Sequence, residues 1–261
     1  EFPPVPKDFK TNKEANTNWR RAAAKIYDLN LSTKSRRLLT AKVLHLAQKF
    51  EGNRFFFPSN VDWRGRVYNI PAFLNVQNAD PSRGLLQFYR DEKLKTKEDA
   101  EWLAIHGANT YGFDKVTLEE RVQWAYDYAD EAHLIASAPM EHLTWKDADK
   151  PWQHLAWCFE WDEFVRNGSV KSKLPCAQDA TNNGLQLLAC LTKCEETAYS
   201  TNAAPTPYPQ DIYAFIASHV EAKLIKDAEN GNSTARKWVT FGIDRKTTKR
   251  PTMVYPYGGT F

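Results

Sequence analysis

The stretch DRKTTKRPTMVYPYGG, residues 244–259, decides how the rest of the chain is read. It sets Arg245, Lys249 and the pair Tyr257-Gly258 at offsets of four and eight. Asp244 is a short acceptor suited to capping a helix that begins at Arg245. Positions four apart share a helix face, so Arg245 and Lys249 form one cationic patch beside the open N–H groups of a helix start. That combination grips a polyphosphate. Tyr257 follows on about the third turn, where the sugar or base of a held nucleotide would lie. Taken alone, a basic helix start with a structural tyrosine fits these residues equally. Pro251 and Pro256 each remove a donor and crowd the carbonyl four residues earlier, so a kink or break is expected beyond Lys249.

Working outward, Asp179 ends the apolar-leaning run Leu174-Pro175-Cys176-Ala177 and precedes the small-residue turn 180–184. A carboxylate at a strand end beside an exposed carbonyl, here that of Ala180, suits a hard divalent cation. An Asx-turn or helix cap is the plainer reading of a lone aspartate there. Further upstream, DWRGR at 62–66 places Arg64 and Arg66 around Gly65, with Trp63 as a stacking plane, which fits phosphate and base contacts. A charged hairpin turn accounts for it as well.

The remaining elements are read from period and punctuation. A helix is expected over 18–27, and a second over 32–50 capped by Ser32 or Thr33. Lys34, Arg36 and Arg37 would then crowd its first turn, either as a solvated face or as a phosphate-contacting helix end. Residues 54–73 read as strand, turn, strand. Helices follow over 97–111, over 117–138 with a capping box at Thr117 and Glu120, and from Pro151 to about residue 166. Residues 172–193 read as a short strand, a polar turn and a buried helix. The helix at 209–228 carries a stripe of Ile212, Phe215, Ile216, His219 and Val220. A short helix over 234–241 stops at Gly242. The opening residues 1–9, proline-rich, read as an extended linker.

Composition excludes little. The chain has 261 residues, 42% hydrophobic and 26% charged, with nine Trp, eleven Tyr and fourteen Phe. Its net charge of +3 cannot by itself argue for nucleic acid, so that case rests on local clusters. Cys158, Cys176, Cys190 and Cys194 show no Cys-x-x-Cys spacing; Cys190 and Cys194, one helical turn apart, offer a weak metal alternative, and reduced buried thiols in a cytoplasmic protein are expected. Apolar runs such as 187–191 are too short to span a bilayer, so no membrane role is expected.

Together the three motifs resemble the single-subunit DNA-directed RNA polymerases of phages and mitochondria. Supporting stretches run nearly the whole chain: NWRRAAAKIY (18–27), KSRR (34–37), FPSNVDWRGRVY (57–68), LAIHGAN (103–109), GFDKV (112–116), CFEW (158–161), QDIY (210–213) and TKRPTMVYPYG (248–258). The resemblance implies a predominantly helical α+β fold, a right-hand polymerase body holding most of the palm and the first half of the fingers. Residues 1–53 would be a helical thumb-side segment, 54–195 the palm with a helical insertion at about 95–170, and 196–261 the first part of the fingers. It implies that Asp179 and the Ala180 carbonyl hold catalytic Mg²⁺, two ions serving the completed site. Arg245 and Lys249 would hold the incoming triphosphate, Tyr257 with Gly258 would sense its sugar, and Tyr213 and Met253 would line the pocket near the templating base. Trp63, Arg64 and Arg66 would contact template and hybrid, with Arg83 and Lys115 as weaker carry-overs. In the related DNA polymerases a glutamate five residues beyond the catalytic aspartate blocks the 2′-hydroxyl. Gly184 stands here and leaves room for a ribonucleotide.

The sequence also departs from the family pattern. The family's second metal-binding aspartate lies in a His-Asp-Ser-type motif far beyond the Tyr-Gly pair, and no His-Asp pair occurs here. The large promoter-recognition region is missing too. A fragment or a naturally split enzyme would explain both, and heterodimeric phage polymerases favour the second. The expected partners are therefore a second polymerase subunit carrying the other aspartate, DNA template, RNA product, NTPs, and an accessory factor that opens DNA or binds single strands, all in the host cytoplasm. A competing expectation is a non-catalytic nucleic-acid-binding subunit of polymerase-like shape. Loss of Asp179, Arg245 or Lys249 would favour it, and all three are present.

Overall fold

The computed structural model describes residues 2–7, 9–178 and 181–255. They gather into two compact units: Glu1–Gly112 with Trp124–Cys176, and Phe113–Gln123 with Ala177–Phe261. As the family expectation requires, helix predominates and the strands are short.

The first unit opens with α1, Lys13–Phe50, whose start is capped by Asn12 accepting from the N–H groups of Glu14 and Ala15, both at 3.1 Å. The two expected helices are thus one, about 57 Å long at 1.5 Å per residue. Ser32 and Thr33 cap nothing there; the Thr33 hydroxyl donates back to the Leu29 carbonyl, as a mid-helix threonine does. Val43 of α1 packs with Leu74 and Leu86, flanked by Leu39, Leu46, Phe55, Phe57 and Phe73.

Strands β1, Ser59–Val61, and β2, Val67–Asn69, pair antiparallel with Val61 opposite Val67, the hairpin expected for residues 54–73. The short helix α2, Asp80–Gly84, follows. Then β3, Glu92–Leu94, pairs antiparallel with β4, Val170–Ser172, and the chain between them is helical. It comprises α3 (Lys97–Tyr111), α4 (Leu118–Asp127), α5 (Ala129–Ser137), a 3₁₀ turn at Thr144–Asp147 and α6 (Pro151–Asn167). Thr96 and Asp99 form a reciprocal capping box at α3. Thr117 and Glu120 form the expected one before α4, with bonds of 2.8 and 3.2 Å. The single helix expected over 117–138 is divided at Tyr128, where ψ opens to 0° while its ring stacks 4.8 Å from Trp124. The same ring lies 5.5 Å from His154 of α6, and that tertiary contact wins over helical periodicity.

One face of α6 carries the core of this unit. His154, Trp157, Trp161 and Phe164 recur at spacings of three and four, with successive ring centroids 5.2, 5.5 and 5.6 Å apart. The indole N–H of Trp157 donates to the Leu103 carbonyl and that of Trp161 to the Ala125 carbonyl, both at 2.8 Å. Their polar tips are satisfied and the rings are fully buried. From across α6, the Asp80 carboxylate accepts the Trp152 and Gln153 N–H groups, closing its open end.

The second unit holds α7 (Asn183–Thr192), α8 (Glu195–Ser200), α9 (Ile212–Glu229), α10 (Ser233–Phe241) and α11 (Arg245–Val254). Both α10 and α11 pack on α9. Helix α7 is not the buried helix expected: Leu185 and Ala189 face inward, whereas Leu187, Leu188 and Leu191 are exposed. Its leucines extend from the covered side well onto the opposite one, so composition conceals which face is covered. The strand expected near its start is also displaced, for β4 ends before Leu174. On α9 the buried face is Ile212, Tyr213 and Ala217 with Ile216 beside them. Phe215, His219 and Val220 of the expected stripe are exposed, a rotation set by α11 covering Tyr213. Helices α10 and α11 form as expected, α10 stopping at Gly242 with φ +80°.

All four cysteines are free thiols, but the expectation of burial holds only for Cys158, and Cys190 is exposed. Among the described residues, no helix is long and apolar enough to cross a membrane.

Candidate functional site

The site is built where α9 and α11 meet. Asp244 caps α11 by accepting the Thr247 N–H at 2.7 Å and the Thr247 hydroxyl at 2.6 Å. These bonds hold its carboxyl below the usual range, the Thr247 hydroxyl contributing most. Helix α11 therefore starts at Arg245, and its first turn carries the cations. Arg245 sits 5.5 Å and Lys249 5.9 Å from the centroid of the Tyr213 ring on α9. Three residues expected at a nucleotide site, 36 positions apart at the extremes, are thus brought together. Arg245 Nε is also ion-paired with Asp211 Oδ2.

Two residues not singled out from the sequence complete this arrangement. Asp211 caps α9, accepting the Tyr213 N–H at 3.0 Å and the Ala214 N–H at 3.4 Å through Oδ1, while Oδ2 takes Arg245. Burial works to raise its carboxyl, but the Arg245 hydrogen bond and the helix N–H donors outweigh it, so Asp211 titrates below the ordinary carboxylate range. Thr248, buried between the helices, donates its hydroxyl to the Tyr213 carbonyl at 2.9 Å. The cap role of Asp211 is legible from an aspartate before an apolar helix. Its bond to a residue 34 positions later is not.

The expected break at Pro251 does not occur. Helix α11 runs through it to Val254, and the Tyr255 N–H bonds back to the Pro251 carbonyl. The turn closes behind the proline, so the missing donor does not unravel the helix. Met253 lies on this last part of α11, half exposed. Gly184 lies in the first turn of α7 and donates its N–H to Asn183 Oδ1 at 2.9 Å. Asp179, Ala180, Tyr257 and Gly258 lie outside the described residues. Among the described residues no group of three or more His, Cys, Asp or Glu could hold a metal ion.

The nucleic-acid candidates of the first unit are sorted by their contacts. In the β1–β2 turn, Gly65 takes φ +78° and the Asp62 carboxylate accepts the N–H groups of Arg64 and Arg66, each at 2.9 Å. It also binds the Arg64 guanidinium at 2.9 and 3.0 Å. The Arg66 N–H does most to hold the Asp62 carboxyl below its usual range. Trp63 is 91% exposed, so the turn presents a bare indole plane, with Arg64 5.5 Å from its ring. Arg83, in α2, is half-buried; its charge, after burial and Lys150, helps lower His106 to about 4. Lys115, in the second unit, is exposed and paired with Asp114 at 2.6 Å. Arg36 and Arg37 are exposed in the interior of α1, not at a helix start, so the expected phosphate-contacting helix end does not exist.

Residues 93–261 match the family model for DNA-dependent RNA polymerase. That span contains the whole α9–α11 site and Asp179, and leaves the DWRGR turn, Arg83, Arg36 and Arg37 outside it. The chain is 34% identical to a DNA-directed RNA polymerase of Enterobacteria phage T3, over 99% of this chain and 32% of the relative. It is equally similar to the T7 RNA polymerase of Escherichia phage T7, with the same coverage. With a mitochondrial DNA-directed RNA polymerase of Schizosaccharomyces pombe it shares 34% identity over 100% of this chain and 23% of that protein. The chain thus spans a third or less of the length of these curated relatives.

Proposed function

Because the chain belongs to the DNA-dependent RNA polymerase family, we propose that it supplies the triphosphate grip and one catalytic carboxylate of a DNA-directed RNA polymerase. Template-directed nucleotidyl transfer from NTPs to an RNA 3′-hydroxyl is the reaction. The observation that carries this is the convergence of Arg245 and Lys249 on the Tyr213 ring near the N-terminal end of α11. Phosphoryl transfer asks a protein chiefly for positioning and charge neutralisation, and two cations near the start of a capped helix offer both. Tyr257 would read the sugar, Gly184 would leave room for its 2′-hydroxyl, and Met253 with Tyr213 would face the templating base. Asp179 and the Ala180 carbonyl would hold Mg²⁺, whose chemistry when bound is to neutralise developing charge on the reacting oxygens.

The DWRGR turn, with Trp63 bare and both arginines at its tip, would follow template and hybrid by stacking and charge. Arg83, Lys115, Arg36 and Arg37 are secondary contacts in this reading, the last two along a helix side. The second metal carboxylate would come from outside residues 1–261, on a second polymerase chain. Residues 54–195 would then serve as palm and 196–261 as fingers, with residues 1–53 on the thumb side. A DNA-opening or strand-binding accessory factor and the host cytoplasm complete the setting.

The test is primer extension with the assembled polymerase on a DNA template. Asp179→Ala should abolish elongation, and Arg245→Ala should raise the NTP KM sharply. Elongation retained in Asp179→Ala would overturn the catalytic assignment. Copurification from the native source decides whether the second acid arrives on a separate polypeptide.

A further inference from the structure

We infer that Asp211 is a positioning residue for the triphosphate grip, an inference that rests on the function proposed above. Its two carboxylate oxygens do different work. Oδ1 caps α9 through the Tyr213 and Ala214 N–H groups, and Oδ2 takes Nε of Arg245. Nε is the inner edge of the guanidinium, and a single bond there leaves the terminal nitrogens for an anion. The Arg245 side chain is 40% exposed against 27% for Asp211, so the cation reaches solvent while its anchor lies deeper. Beneath the guanidinium lies the Tyr213 ring at 5.5 Å, and behind that ring Thr248 bonds to the Tyr213 carbonyl.

Arginine is therefore held on two sides, by a charge on its inner edge and a ring under its plane. A long side chain with several rotatable bonds loses that freedom before the triphosphate arrives. The same carboxylate fixes where α9 begins, so the position of Tyr213 and the aim of Arg245 are set by one residue. An opposite electrostatic effect competes. Asp211 offsets part of the positive charge on Arg245, and removing it would strengthen long-range attraction for a polyphosphate. Orientation wins in this site because Lys249 already supplies attraction, whereas Asp211 is the carboxylate bonded to Arg245 among the described residues.

Asparagine separates the two roles, because it caps a helix as well as aspartate yet carries no charge. In the assembled polymerase, Asp211→Asn should raise the NTP KM roughly five- to tenfold, the scale of losing a partly exposed charge-assisted hydrogen bond. The kcat should stay within about twofold, the pattern of lost uniform binding. Its melting temperature should match wild type, whereas Asp211→Ala should show the same KM rise together with a lower melting temperature. A wild-type or lowered KM in Asp211→Asn overturns the inference. So does a KM rise seen only in Asp211→Ala, which would make the residue a cap alone. Arg245→Ala serves as the reference: an unchanged KM there overturns the triphosphate reading itself, and this inference with it.

Discussion

Gly107 lies in the middle of α3, where alanine would ordinarily stabilise the helix by about 1 kcal/mol. Here it should do the reverse. A Cβ at Gly107 would lie 2.1, 2.3 and 2.6 Å from three ring atoms of Trp157, against an ordinary carbon contact of about 3.5–4.0 Å. The indole would have to retreat by more than 1 Å, and it has no room: it is fully buried, with His154 5.2 Å and Trp161 5.5 Å away on either side. Retreat would also break its hydrogen bond to the Leu103 carbonyl, leaving the buried indole N–H unpaired. Overpacking costs about 1–3 kcal/mol and an unpaired buried group about 1–3 more. Less the helix gain, Gly107→Ala should lose about 3 kcal/mol, or roughly 6–12 °C in melting temperature for a unit of this size. Urea unfolding followed by tryptophan fluorescence measures it. A double-mutant cycle with Trp157→Leu makes the cause explicit, because Gly107→Ala should cost little once the indole is gone. A variant as stable as wild type, or an equal loss in both backgrounds, would refute the claim that α3 and α6 touch backbone to ring.

Two further outcomes follow from buried groups. Burial foremost lowers both His106 and His154 from 6.5 to about 4, aided at His106 by Lys150 and Arg83. The fold therefore favours neutral imidazole: stability is fully present above about pH 6.5 and is lost as pH falls toward 4, by up to about 1.4 kcal/mol per pH unit for each histidine. Urea midpoints at pH 7, 6 and 5 should decline steadily, in a window above that of the carboxylates, and a flat profile would contradict the burial of the two rings. At the site, Thr248→Val keeps the shape but removes the hydroxyl bonded to Tyr213, and should cost about 1 kcal/mol, with Thr248→Ser recovering most of it. Equal stability of the valine variant would show that this bond does not join α9 to α11.

Local rules were enough for a good part of this protein. The Asp244 cap, the face shared by Arg245 and Lys249, the capping box at Thr117, and the hairpin around Gly65 each depend on residues within a few positions, where chain geometry leaves few choices. Family membership was legible for the same reason, since its motifs are short and ordered along the chain. What tertiary structure decided are the matters in which a distant residue casts the deciding vote. Nothing near Ser32 indicates that α1 continues, and nothing near Tyr128 indicates that a helix ends there, because an unbroken helix and a ring set against His154 are chosen by what packs against them. The face that α9 buries was set by α11, where Thr248 lies 35 residues beyond Tyr213, and Asp211 became the anchor of Arg245 only when those helices met. Periodicity reports that a helix has an apolar side; packing selects which side is covered, and a charge finds its partner only once the chain has folded back upon itself.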